Sequence, residues 1–433
     1  MTTYSNDSKR ILYGFIRVSF FILVVKLFGV FKEIAVANRF GVSEVVDSYT
    51  LSLAIVSWIP AIWIAVINSV YVPLSQKLPL NARQSFNGNL FGLVVLAGLA
   101  STLAMFFLIR LLYPTLFDGL TESGLKLLID MSSGLAPIII FGLISAHLSV
   151  LLLAKERHIN TLTQTVPSIA LIIFLYFWPS NNSDAKLFIV AMLLGTFLQI
   201  LALFFFCKRA NFTLTPKFDD IKETTQLIRN AVGLMLAAQL IASFSSPIAL
   251  YYATTLGEGS VSVFGYATKF IALIVGLGAT AIGRAVLPVL SSSSQSIAIK
   301  KKLAYHWSLI LFLLGTLSAI AVWLLAEFMV EIVFERGAFT SQNTLEVAEV
   351  VKYGAVQLPF VFSSVVFGQY FASEGDYRVL FYSGCIGLTV VIASSHILIQ
   401  LYLPPGLMLA TVASLIAVNF LFLFRMYGFK CNG

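Results

Sequence analysis

Leu309-Ile310-Leu311-Phe312-Leu313-Leu314-Gly315-Thr316-Leu317-Ser318-Ala319-Ile320-Ala321-Val322-Trp323-Leu324-Leu325-Ala326 runs without a single charge. An apolar stretch of that length reads as a membrane-crossing helix, since a bilayer core takes roughly 20 residues of helix. Similar runs lie near 11–31, 46–72, 90–113, 126–154, 162–179 and 187–207, and again near 230–254, 261–290, 303–330, 346–372, 379–402 and 405–427. Twelve such helices need roughly 240 apolar residues, close to the entire hydrophobic content of this chain. Of its 433 residues, 58% are hydrophobic and 11% charged, against about a quarter charged in soluble proteins. The expected fold is an all-α polytopic membrane protein, with no spare length for a soluble catalytic domain.

The connections orient it. The net charge is +8, and of 28 Lys and Arg, 17 fall at the N-terminus, the even-numbered connections and the C-terminus. Six fall at the odd-numbered connections (Lys32, Arg39, Arg110, Lys126, Lys186 and Arg336), and five within spans. The positive-inside rule then puts both termini in the cytoplasm, with 155–158 and 300–302 inside and 181–184 and 336–343 outside. Met1 to Arg10 leads straight into the first apolar run without a cleavage site, which reads as an uncleaved first helix.

The longest polar stretch, 207–230, divides the twelve helices into six and six, with an N-lobe over 1–222 and a C-lobe over 223–433. The halves read as copies. Gly41 answers Gly257, Pro73 answers Pro288, Phe117-Asp118-Gly119 answers Phe334 to Gly337, and Gly134…Pro137 answers Gly354…Pro359, at offsets of 216, 215, 217 and about 220. Halves that both begin and end in the cytoplasm are parallel repeats, which commonly enclose a central cavity and alternate its access. Pro60, Pro137, Pro288 and Pro359 are expected to interrupt helices, as bending points or as tolerated kinks.

The charges within spans carry the chemistry, because each costs about 2.5–3.5 kcal/mol on insertion scales unless it faces a cavity or a partner. Arg17, Lys26, Lys269, Arg284 and Lys352 are basic; Asp47, Asp130, Glu327 and Glu349 are acidic. Arg17 and Lys352 lie near span ends, where snorkelling suffices, and Glu349 is placed to pair with Lys352. Lys26 sits about 22 Å of helical rise into the first span. Two readings stand for it: a pair with Glu33 one heptad on, or a cavity cation facing Lys269 of the other half around an anionic ligand.

Nothing encodes an enzyme or a cofactor. Cys207, Cys385 and Cys431 have no metal or disulfide spacing, and His147, His158, His306 and His396 are scattered. No Gly-rich loop precedes a Lys-Ser/Thr pair, and no basic run exceeds Lys300-Lys301-Lys302, which excludes ATP hydrolysis and nucleic-acid binding.

Lys26-Leu27-Phe28-Gly29-Val30-Phe31-Lys32-Glu33, then Phe40-Gly41 and Asp47, resembles the opening of the MurJ (MviN) lipid II flippases. Those belong to the multidrug/oligosaccharidyl-lipid/polysaccharide (MOP) exporter superfamily. Gly259-Ser260-Val261-Ser262 leading to Tyr266-Ala267-Thr268-Lys269, then Leu287-Pro288, resembles the start of the family's second lobe, and Val333 to Thr340 is similar to a further stretch. The likeness spans most of the chain. It implies a flippase of a bacterial inner membrane that moves undecaprenyl-diphosphate-linked saccharide from the inner to the outer leaflet. Its partners are that lipid, membrane lipid and other envelope-polysaccharide assembly proteins.

The resemblance also implies that Lys26, Lys32 and Lys269 stand where the family has cavity arginines that hold the diphosphate. Arg17, Glu33, Asp47, Arg284 and Lys352 are secondary candidates. Lysine keeps the charge and loses the bidentate fork. The family's second-helix arginine has no counterpart around Pro60 to Ala65, nor do its acidic seventh-helix sodium ligands within Ala231 to Tyr252. Two further C-terminal helices bearing a lipid-tail groove are not matched either. These departures put a surface-polysaccharide repeat unit beside lipid II as the expected cargo. The rival classes are a cation-coupled multidrug antiporter, which would favour cavity carboxylates, and a non-transporting membrane scaffold.

Overall fold

The computed structural model describes residues 2–77, 79–155, 157–179, 184–212, 214–219, 225–226, 237–290 and 297–427. Among them every regular element is helical. The first half contains α1 (Thr2–Phe40), α2 (Glu44–Lys77), α3 (Leu80–Leu116), α4 (Glu122–Leu135), α5 (Ile138–Ala154), α6 (Ile159–Thr163), α7 (Val166–Phe177) and α8 (Asp184–Arg209). The second contains α9 (Ser245–Thr254), α10 (Ser260–Leu290), α11 (Ile297–Phe334), α12 (Ser341–Ala355), α13 (Leu358–Ser373), α14 (Tyr377–Tyr402) and α15 (Pro404–Tyr427). Seven segments among the described residues are long and apolar enough to cross a membrane, and nine when two bent pairs each count as one. Helices alone satisfy every backbone polar group inside lipid, which is why so apolar a chain folds this way.

The bent pairs are where the repeat is most visible. α4 and α5 meet at 40° and α12 and α13 at 43°. Pro137 and Pro359 sit at these two breaks, where a missing N–H ends the preceding helix. The expected interruptions at Pro60 and Pro288 do not occur: α2 and α10 run through them. The Pro60 ring lies against Gly142 of α5, where a side chain would leave it no room. Gly41 and Gly257, paired in the repeat, both take positive φ, +57° and +97°.

Two compact units result. The first comprises Met1–Arg39, Ser52–Leu116 and Leu125–Val232; the second comprises Phe40–Leu51, Phe117–Gly124 and Gly233–Gly433. The first packs around Tyr71, Phe86, Leu90, Leu148, Leu151 and Leu203, with the Tyr71 hydroxyl donating to Asn87 Oδ1 at 2.7 Å. The second packs Phe362, Val366, Phe367 and Phe371 of α13 against Phe422 and Met426 of α15. Into this second unit the α1–α2 turn and the 117–124 connection are drawn from the first half of the chain.

Candidate substrate site

In the first unit, α1 carries two of the three lysines expected to bind substrate. Lys26 is half-buried and, among the described residues, has no hydrogen-bond or ion-pair partner. The alternative pairing of Lys26 with Glu33 is not what forms. Glu33 instead binds its neighbour Lys32, Nζ to Oε1 2.8 Å, and both side chains are largely buried. Adjacent long side chains reach each other by curling along the helix, which leaves the more distant Lys26 without the carboxylate. Nearly two turns beyond, Arg39 donates from Nη1 to Leu175 O at 2.6 Å and to Trp178 O at 3.2 Å. It thereby caps the C-terminal carbonyls of α7, the end of a helix that attracts a cation. The side chains of Arg17 and Arg284, both secondary candidates, lie outside the described residues.

In the second unit, Lys269 is the last member of a stripe on α10. Gly259, Ser262, Tyr266 and Lys269 recur at intervals of three and four residues, which aligns them on one helix face. The first three bind the α1–α2 turn. Asp47 accepts from Gly259 N at 2.7 Å through Oδ2 and from Ser262 N at 2.6 Å through Oδ1, and Ser262 Oγ donates to the same Oδ1. A helix begins with four N–H groups that have no partner of their own; here a carboxylate from another helix serves them. Ser262 Oγ also reaches Ser43 O at 3.2 Å, and the Tyr266 hydroxyl donates to Gly41 O at 3.0 Å.

Both glycines in this clasp are required by geometry. Gly259 has φ +83° with Val42 against its open side, and Gly41 lies under the Ala338 carbonyl, where a Cβ would overlap it. The 334–340 connection closes the clasp further, as the Tyr266 ring packs edge-on to Phe339 (centroids 5.6 Å) and against Phe334 (5.2 Å). Glu44 accepts from Thr121 and from Ser123 Oγ at 3.1 Å, which ties in the 117–124 connection. Below the clasp, half-buried Lys269 holds its Nζ 5.7 Å from the centroid of the Tyr266 ring.

Asp47, a secondary ligand candidate from sequence, is therefore bonded through both oxygens to the head of α10. Lys352 has its partner too, and it is not Glu349: Nζ binds Glu327 Oε1 at 2.5 Å, from α12 to α11. Intrahelical spacing pointed to Glu349, while the carboxylate of the adjacent packed helix won. Sequence reasoning also missed Ser262 and the Tyr266 hydroxyl as clasp members. The 259–262–266–269 spacing was the available signal.

Helices in two compact units, a repeat that bends twice at matching glycine–proline sites and cations within apolar spans together define an all-α polytopic membrane protein built on an internal repeat. The solved structures agree on the fold. A lipid II flippase MurJ in an inward closed conformation superposes with a TM-score of 0.83 at 19% identity, covering 96% of this chain and 88% of that one. An inward-facing multidrug resistance MATE family transporter of the MOP superfamily gives 0.72 at 16% identity, covering 93% and 94%. The family model described as lipid II flippase MurJ matches residues 36–429, and the chain belongs to that family. Among curated relatives, a probable lipid II flippase MurJ from Bdellovibrio bacteriovorus is 24% identical, covering 97% of this chain and 83% of its own. One from Buchnera aphidicola is 22% identical, covering 84% and 73%.

Proposed function

We propose that this chain carries lipid II, a polyprenyl-diphosphate-linked saccharide, from the inner to the outer leaflet of a bacterial inner membrane by alternating access between two six-helix lobes. The observation that carries the reading is Lys26, an embedded cation without an ionic partner among the described residues. An ammonium in such a place costs several kcal/mol unless an anion answers it, and a diphosphate is the anion this family's cargo supplies. Lys269, whose ammonium faces the Tyr266 ring, is assigned to the diphosphate in the second lobe on its position in an apolar helix. Lys32, already on Glu33, contributes as a shared donor, since an ammonium has three N–H bonds to give.

Three embedded carboxylates argue against the antiporter rival. Glu33 binds Lys32, Asp47 binds the head of α10 and Glu327 binds Lys352, so these three carboxylates are already engaged within the chain. The relatives reported above are named for lipid II, and that favours it over a surface-polysaccharide unit. On the expected topology, with both termini cytoplasmic, the clasp lies at the outer ends of the helices it joins.

Translocation of fluorescent lipid II in proteoliposomes tests the assignment. Transport by the native chain and none by Lys26→Ala is the expected pair of results. Failure with lipid II, together with transport of an undecaprenyl-diphosphate repeat unit, would move the cargo to surface polysaccharide. For orientation, Ser341→Cys should react with an impermeant thiol reagent on intact cells while Ser294→Cys does not.

A further inference from the structure

The Tyr266 ring is held from two directions by groups with opposite jobs. Its hydroxyl donates to Gly41 O in the clasp, and its face looks toward the ammonium of Lys269, one turn further along the same helix. The ring is 1% exposed and wedged between Phe334 and Phe339, so it has no freedom to turn away from either. We propose that Tyr266 is a positioning residue that couples anion binding at Lys269 to the clasp, so that a bound diphosphate loosens the closed end. The inference rests on the reading of Lys269 as a diphosphate ligand.

The physics is that of one π-system serving two partners. A cation within about 6 Å of an aromatic centroid is attracted by the ring quadrupole and withdraws electron density from it. A phenol so depleted is a stronger donor, and hydrogen-bonded groups in a low-dielectric interior polarise one another in this way. Lys269 in its unliganded state therefore strengthens the Tyr266–Gly41 bond. A diphosphate that draws the ammonium off the ring, or cancels its field, weakens that bond and with it the clasp. Linkage makes the effect reciprocal: a closed clasp disfavours the anion, an open one favours it. Loading then promotes opening toward the far side, as a flippase requires.

Thr50 offers a reporter. It is buried with its methyl against the open side of Gly265 on α10, and its hydroxyl has no hydrogen-bond partner among the described residues. A Thr50→Cys thiol, in full-length protein with Cys207, Cys385 and Cys431 replaced by alanine, reacts with a hydrophilic maleimide only when α10 leaves α2. In nanodiscs, Lys269→Met should raise its labelling rate about threefold, the scale of one cation–π contact. That increase should vanish when Tyr266 is Leu, and also in Tyr266→Phe, which keeps the ring packing and lacks the hydroxyl. Farnesyl diphosphate should accelerate labelling of the Tyr266 protein about threefold and leave the Phe variant unchanged. Equal effects of Lys269→Met in the Tyr, Phe and Leu backgrounds would overturn the coupling whatever the substrate is. Coupling without a response to farnesyl diphosphate would overturn the diphosphate reading of Lys269 instead.

Discussion

Lys352 in the second unit and Lys26 in the first both place an ammonium on a predicted membrane helix, and the molecule treats them differently. Lys352 meets Glu327 of the adjacent helix at 2.5 Å, while Lys26 meets no carboxylate among the described residues although Glu33 lies on its own helix face. A paired charge is explained by its partner. An embedded cation whose candidate carboxylate on the same helix face is bonded to another lysine asks for a ligand from outside the chain. The same division separates Asp47, fully engaged as a helix cap, from the lysine three turns along the helix it caps.

That contrast can be broken by transport assays. Lys26→Ala should lower lipid II translocation by about tenfold to hundredfold, the worth of one or two charged hydrogen bonds, with expression maintained. Neutralising the other pair together, Lys352→Met with Glu327→Gln, should leave translocation within about twofold, since exposed ion pairs contribute little. A large loss from the double variant and none from Lys26→Ala would reverse the roles assigned to the two lysines.

The clasp should respond through stability and state, not through substrate contact. Gly41→Val puts a branched side chain at φ +57° beneath the Ala338 carbonyl, so roughly 3 kcal/mol of strain and overlap should appear as lost folded protein on size-exclusion chromatography. Asp47→Ala leaves the N–H groups of Gly259, just before α10, and of Ser262 within it without their acceptor, at about 1–3 kcal/mol each, and should lower the thermal midpoint by several degrees. Asp47→Asn, which keeps a carbonyl acceptor, should fall in between. Arg39→Gln removes a cation from the C-terminus of α7 and should cost only about 0.5–1 kcal/mol in the same assay. If Arg39→Gln proved more damaging than Asp47→Ala, the carboxylate at the head of α10 would not be the stronger of these two helix-end contacts.

How far the sequence reached follows from the range of each interaction. The spans were legible because roughly 20 apolar residues in a row admit one solution in a bilayer. The bends at Pro137 and Pro359 were legible because a duplicated glycine–proline spacing marks them, whereas Pro60 looked the same in sequence and is absorbed by the gap at Gly142. Partners were harder. Glu33 chose Lys32 over Lys26, Lys352 chose a carboxylate 25 positions away, and Asp47 caps a helix 212 positions on. Such choices depend on which helices pack together, which hydropathy does not specify. The charge types at Lys26 and Lys269 were visible all the same, because a lysine amid apolar residues is conspicuous before any neighbour is known.

The most direct test is the affinity of the purified protein for farnesyl diphosphate against farnesyl monophosphate, with and without Lys26. Charge-assisted contacts to the second phosphate should give the native chain at least a tenfold or so preference for the diphosphate. In Lys26→Ala that preference should collapse to about twofold while monophosphate binding changes little. A diphosphate preference undiminished by Lys26→Ala would contradict the assignment of this cation to the substrate.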